Sequence, residues 1–187
     1  MSRFVILLWG LLLVSTPALP AESHGTGGNW QHGIAVGVRT GYAPASLPAK
    51  VLEYNLSKPF ATRRYLYHRV NIGLWHRQEN RTPPDVIVIP TGTLPSYSTA
   101  YAAYSVGIRS PGPVYFYLSH GAGLISETTP YLGSHGQFQT ALGVGYHGSK
   151  RTVECGVQHL SNGSRFFSSP QPNLGEDFFL CSVTIRR

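Results

Sequence analysis

The sequence predicts an all-β protein, an eight-stranded antiparallel transmembrane β-barrel of the outer-membrane type. Three observations predict this fold. Bulky apolar residues alternate with small or polar ones at period two in eight segments of the chain. The residues opposite the bulky ones are mostly Gly, Ala, Gln, Ser and Tyr, which suit the narrow lumen of a small barrel. Long and short connections also alternate along the chain, as they do in outer-membrane barrels.

The first predicted strand shows the pattern most clearly. In residues 30–42, Ile34, Val36 and Val38 alternate with small or polar neighbours. Seven further segments repeat this alternation. The predicted strands are residues 30–42, 51–60, 63–76, 97–109, 113–125, 137–147, 151–161 and 177–187.

The connections between these strands predict the orientation of the barrel. Those after the first, third, fifth and seventh strands span about 7, 20, 8 and 15 residues, and the other three span about two or three. Short turns lie on the periplasmic side of such barrels and long loops lie outside. Odd-numbered strands are therefore expected to end at the cell surface. A soluble β-sandwich or lipocalin-like barrel, which also has two-faced strands, is the alternative fold.

The N-terminal residues 1–21 have the features of a secretory signal peptide. Arg3 precedes an apolar run that ends at Val14, and Ala21 offers a cleavage site. The run is too short to cross a bilayer as a helix. We therefore expect a signal peptide over residues 1–21 and a single barrel domain over residues 22–187.

The charge balance indicates an anionic partner. The chain has 15 Lys and Arg residues against 8 Asp and Glu residues, a formal net charge of +7. No basic run concentrates this charge, and an exported protein rarely meets nucleic acid, so we expect no nucleic-acid partner. A phosphate-bearing lipid surface, or solubility alone, explains the charge better.

A candidate catalytic pair lies on the seventh predicted strand. His159 and Ser161 share its outward face, and their Cα atoms are about 6.6 to 7 Å apart, within reach of a side-chain hydrogen bond. A histidine beside a serine is the pairing that activates a serine nucleophile. The eighth strand is the hairpin partner of the seventh, so Glu176 is expected to return to His159 and orient its imidazole. Asp177 is the alternative acid.

Around these residues the sequence resembles the lipid A deacylase PagL family, outer-membrane 3-O-deacylases of lipopolysaccharide. The family's His-x-Ser-Asn motif is similar to His-Leu-Ser-Asn-Gly at residues 159–163. Its Pro-Asn-x-Gly segment and C-terminal catalytic glutamate are similar to Pro-Asn-Leu-Gly-Glu at residues 172–176. The resemblance is most specific over residues 131–181. The roles it implies are nucleophile for Ser161, general base for His159, orienting acid for Glu176, and oxyanion or loop-shaping residues for Asn162, Gly163 and Asn173.

The resemblance also implies a function. It predicts a serine esterase that removes an ester-linked 3-hydroxyacyl chain from the lipid A part of lipopolysaccharide in the outer membrane, without a metal or organic cofactor. A homodimer stays open as an alternative to a monomer. The competing functional class is a non-catalytic small barrel of the structural or adhesin kind, in which His159 and Ser161 are incidental.

The sequence also leads to predictions for two cysteines, three aromatic residues and four arginines. Cys155 and Cys181 lie on outward faces of adjacent predicted strands, where they form either a disulfide or two small lipid-facing hydrophobes. Aromatic residues near strand ends are expected in the membrane interface belt, namely Trp30, Tyr42 and Trp75. Arginines near outer strand ends are expected either to pair with phosphates or to be solvated loop cations, namely Arg39, Arg77, Arg81 and Arg165.

Overall fold

The computed structural model describes the barrel and parts of its loops. The described residues are 29–40, 50–61, 63, 65–77, 80–81, 93–94, 96–129, 131–162 and 175–185. The predicted signal peptide lies outside them, as do Tyr42, Gly163, Arg165 and Asn173. No helix in the described part of the chain is long and apolar enough to cross a membrane.

The described residues form ten β-strands. These are β1 (Gln31–Arg39), β2 (Lys50–Pro59), β3 (Leu66–Arg77), β4 (Asn80–Arg81), β5 (Thr93–Leu94), β6 (Tyr97–Arg109), β7 (Val114–Ile125), β8 (Gly136–His147), β9 (Arg151–Ser161) and β10 (Glu176–Ile185).

Eight of these strands close into an antiparallel barrel, which confirms the predicted fold. Their order around the wall is β1-β10-β9-β8-β7-β6-β3-β2. The long and short connections alternate as expected. The remaining strands, β4 and β5, pair with each other in the long connection between β3 and β6. These strands were not predicted because two residues are too few to show a period in the sequence.

The outward face of the wall is apolar. Ile34, Val36 and Phe116 are 60%, 59% and 68% exposed, whereas Ala35, on the other face, is buried. Apolar side chains on the outside suit contact with hydrocarbon. The closed barrel also satisfies the backbone hydrogen bonds between strands, as a membrane environment requires.

The lumen is filled with side chains. Trp75, expected in the interface belt, is fully buried in the lumen, so that expectation is wrong. Its position in the alternation of β3 turns it inward. There its ring centroid lies 5.4 Å from that of Tyr101 and 5.5 Å from that of Phe178. Charged groups are also buried there: Arg69 pairs with Glu154.

Glycines make room for the lumen tyrosines. On neighbouring strands, four inward glycines lie directly opposite tyrosines, and a Cβ at each glycine would meet the facing tyrosine. A glycine opposite an aromatic residue lets the ring lie across the bare backbone of the next strand. The pairs are Gly73–Tyr101, Gly107–Tyr67, Gly145–Tyr115 and Gly143–Tyr117.

The long-loop end of the lumen is covered by the connection between β7 and β8. Tyr131 and Leu132 in this connection are buried in the same apolar cluster as Trp75 and Phe178. The Thr129 hydroxyl accepts hydrogen bonds from the backbone N–H groups of Tyr131 and Leu132. Among the described residues, this end of the lumen is therefore filled and offers no open binding pocket.

We predict that Gly73→Ile lowers the folded fraction, because the added side chain occupies the space of the Tyr101 ring. The overpacking costs about 1 to 3 kcal/mol or more. Heat-modifiable migration in gel electrophoresis measures the folded fraction. The control is Ala102→Ile, at an exposed outward position on β6 opposite Ile72. Equal folded fractions for the two variants would contradict this account of the lumen.

Candidate active site

His159 and Asp177 form a cross-strand pair on the outer wall. They face each other in the antiparallel register of β9 and β10. The His159 Nδ1 atom lies 2.7 Å from Asp177 Oδ1. Both side chains are partly exposed, 44% for His159 and 30% for Asp177. The carboxylate therefore holds the imidazole at one ring nitrogen while the rest of the ring faces outward.

Ser161 lies on the same outward face of β9, two residues beyond His159 towards the long-loop end. Because Asp177 engages Nδ1, the Nε2 atom is the ring nitrogen left for a second partner. Ser161 faces Phe138 on β8 in the ladder, and His159 faces Thr140. A serine, a histidine and a carboxylate thus lie along one hairpin, on the face that meets lipid.

Glu176 lies on the opposite face, so the expectation that it contacts His159 is wrong. It pairs with Leu160 on the inner side of the wall and is 1% exposed. The Arg39 Nε atom lies 2.5 Å from Glu176 Oε2, and the Tyr97 hydroxyl donates to Oε1 at 2.9 Å. The reason is strand alternation: Asp177 lies four residues before the outward Cys181 and shares its face, so Glu176, which is paired within β10, turns inward.

The two described arginines of the predicted phosphate set are turned inward. The guanidinium carbon atoms of Arg39 and Arg77 lie 4.1 Å and 4.5 Å from the ring centroid of Tyr131. Arg77 is 2% exposed. Both expected roles, phosphate partner and solvated loop cation, are wrong for these residues. They form a buried cluster with Glu176 at the mouth of the lumen. The side chain of Arg81 and all of Arg165 lie outside the described residues.

Gly175 shapes the backbone beside His159. Its φ is +74°, in the left-handed region that favours glycine. A Cβ at this position would lie 2.5 Å from His159 Cε1. The bare backbone lets the chain enter β10 directly against the imidazole ring.

Of the residues that the resemblance assigns to oxyanion binding or loop shaping, the structure describes Asn162. It follows Ser161 and is fully buried. Gly163 and Asn173 lie outside the described residues. Within the described ranges, no group of three or more His, Cys, Asp or Glu side chains could hold a metal ion.

A disulfide joins Cys155 to Cys181, which decides between the two alternatives for these cysteines. The bond lies on the outward face of the β9–β10 hairpin, with the two Cα atoms 4.1 Å apart. The next pairs on the outward face of this ladder are Val157–Phe179 and then His159–Asp177. The disulfide therefore clamps the hairpin that carries the site.

The closed eight-stranded wall, its apolar outside and its filled lumen define the class of the protein, an outer-membrane β-barrel. Within this class, the model of the Lipid A 3-O-deacylase (PagL) family matches residues 66–186. The chain belongs to this family, whose members are outer-membrane barrels that act on lipid A. The match runs from β3 to β10 and extends well upstream of the motif residues. No curated protein matches the chain.

The buried cluster around Glu176 leads to a prediction about stability. Glu176→Gln removes the charge that faces Arg39 and leaves a buried guanidinium without its carboxylate, at a cost of about 3 to 5 kcal/mol. Unfolding of the purified barrel in denaturant, followed by tryptophan fluorescence, measures the change. The control is Glu127→Gln, at an exposed position in the loop between β7 and β8. Equal losses of stability would show that the ion pair has no special role.

Proposed function

We propose that this protein is an outer-membrane serine esterase that hydrolyses an ester-linked 3-hydroxyacyl chain of lipid A. Its membership of the PagL family indicates a lipid A 3-O-deacylase-like function. The observation that carries the catalytic part is the 2.7 Å contact between His159 Nδ1 and Asp177 Oδ1, on the outward face of the strand that also presents Ser161.

The proposed reaction follows the chemistry of a Ser-His-Asp triad. Ser161 Oγ attacks the ester carbonyl while His159 Nε2 accepts the serine proton, and Asp177 holds the Nδ1–H and stabilises the imidazolium. The tetrahedral intermediate collapses, and His159 returns the proton to the leaving sugar hydroxyl. Water, activated by His159, then hydrolyses the acyl-enzyme and releases the fatty acid. The resemblance assigns oxyanion or loop-shaping roles to Asn162, Gly163 and Asn173.

The position of the triad on the wall suits this substrate. The ester bonds of lipid A lie between a phosphorylated sugar head and acyl chains that descend into the bilayer. Ser161 is the last residue of β9, next to a long loop, and it faces outward. The ester therefore meets the serine sideways at the membrane surface, without entering a pocket. We also propose export of the chain by the signal peptide at residues 1–21.

We predict that Ser161→Ala abolishes deacylation, with a loss of at least about 10⁴-fold, because the nucleophile is gone. Wild type and variant are incubated with lipopolysaccharide, and the masses of the resulting lipid A species are measured by mass spectrometry. The control is Ser98→Ala, which removes another outward serine whose hydroxyl lies 2.9 Å from His76 Nδ1. Loss of one hydroxyacyl chain at equal rates in wild type and Ser161→Ala would refute the nucleophile. No loss in wild type would favour a non-catalytic barrel.

We predict that Asp177→Asn lowers kcat by about 10³- to 10⁴-fold, because an amide no longer favours the productive histidine tautomer. Glu176→Gln is the neighbouring control, and we expect its activity per folded molecule to stay within about threefold of wild type. Initial rates normalised to the folded band on a gel compare the two variants. If Glu176→Gln loses more activity than Asp177→Asn, Glu176 rather than Asp177 is the acid that orients His159.

A further inference from the structure

A row of polar side chains continues from the catalytic pair across the outer wall. Asp177 pairs with His159, His159 pairs with Thr140 on β8, and Thr140 pairs with His120 on β7. All four residues lie on outward faces. The polar row therefore crosses four neighbouring strands on the side that meets lipid.

Thr140 and His120 hold each other in place. The His120 Nδ1 atom lies 2.9 Å from Thr140 Oγ1. The His120 ring also stacks on Phe138, with the ring centroids 6.0 Å apart and an angle of 10° between the planes. His120 lies near the middle of β7, with apolar Leu118 and Ala122 as its outward neighbours on the same strand. Polar side chains at such depth on a lipid-facing wall are costly and indicate a function.

The hydroxyl of Thr140 retains hydrogen-bonding capacity beyond its contact with His120. If it donates to Nδ1, its oxygen still accepts a hydrogen bond, and if it accepts from Nδ1–H, its own proton is still available. In either tautomer of His120, one outward hydrogen bond remains for a ligand hydroxyl.

The register places Thr140 beside the expected path of the acyl chain. Ser161 pairs with Phe138, so Thr140 is its diagonal neighbour one row farther from the long-loop end, about 7 to 8 Å away. With the sugar head above Ser161 at the membrane surface, the acyl chain descends past the row of Thr140 and His159. The third carbon of a 3-hydroxyacyl chain lies two bonds from the carbonyl carbon and its hydroxyl oxygen lies three bonds away, so the hydroxyl is close enough to the scissile ester to reach this row.

From this arrangement we infer that Thr140, positioned by His120, recognises the 3-hydroxyl group of the acyl chain being cleaved. The inference rests on the proposed esterase function and adds a specificity-determining residue to it. Thr140 binds the substrate without entering the bond-breaking steps, and His120 is a positioning residue that acts through Thr140.

A matched pair of substrates tests the inference: 4-nitrophenyl esters of decanoic acid and of (R)-3-hydroxydecanoic acid, presented in detergent micelles. We expect the wild type to prefer the hydroxylated ester. Thr140→Val keeps the shape but removes the hydroxyl, and should lower the ratio of the two kcat/KM values by about tenfold, the effect of one neutral hydrogen bond. The kcat/KM for the plain ester should stay within about twofold, and Thr140→Ser should restore the preference.

The control variant is Tyr104→Phe. It removes a hydroxyl that lies 2.6 Å from His68 Nδ1, another outward histidine–hydroxyl pair away from the site, and it should leave the ratio unchanged. His120→Phe should lower the ratio as Thr140→Val does, and the double variant should lower it no further.

The outcomes separate this inference from the esterase proposal. Three outcomes overturn the inference and leave the esterase in place, provided that wild type hydrolyses both esters. Either wild type shows no preference between them, or Thr140→Val leaves the ratio of the two kcat/KM values unchanged, or Thr140→Val lowers both kcat/KM values equally. Hydrolysis of neither ester, together with unchanged lipid A, overturns the esterase and the inference with it.

Discussion

The register of the β9–β10 hairpin is the constraint on which the site depends. Because side chains in a strand alternate between two faces, a slip of one residue would turn His159 inward or bring Glu176 opposite it on the lipid side. The disulfide between Cys155 and Cys181 excludes such a slip, since it joins two outward residues that face each other in the same ladder. The disulfide thus fixes the register that places Asp177 opposite His159.

The start of β10 is anchored from both sides of the wall. On the inner side, Glu176 is buried against Arg39 and Tyr97, and on the outer side Asp177 contacts His159. Adjacent acidic residues therefore have different tasks, and alternation of the strand assigns them. Gly175 completes the anchor, because only a residue without a side chain lets the backbone pass so close to the imidazole.

The lumen of the described barrel is filled, which favours a site on the outside of the wall. Tyrosine rings that lie over glycines, buried ion pairs and the loop carrying Tyr131 and Leu132 leave no large cavity within the described barrel. A small barrel of this kind binds a substrate on its wall or in its loops. The row of polar side chains from Asp177 to His120 crosses four strands of the outer wall, where a substrate that is itself part of the membrane can reach it.

The sequence by itself predicted the eight wall strands, the alternation of loops and the motif residues His159 and Ser161, because period two and short-range spacing are local properties. It also held a signal for the carboxylate that contacts His159: Asp177 lies four residues before the outward Cys181 and so shares its face. Only the tertiary structure decided that β10 begins one residue earlier than expected and which partners the inward side chains meet: Arg39 contacts Glu176, and Trp75 packs against Tyr101 and Phe178. Pairing between strands that are distant in sequence sets where a strand begins and which partners its side chains meet, and local pattern does not contain that information.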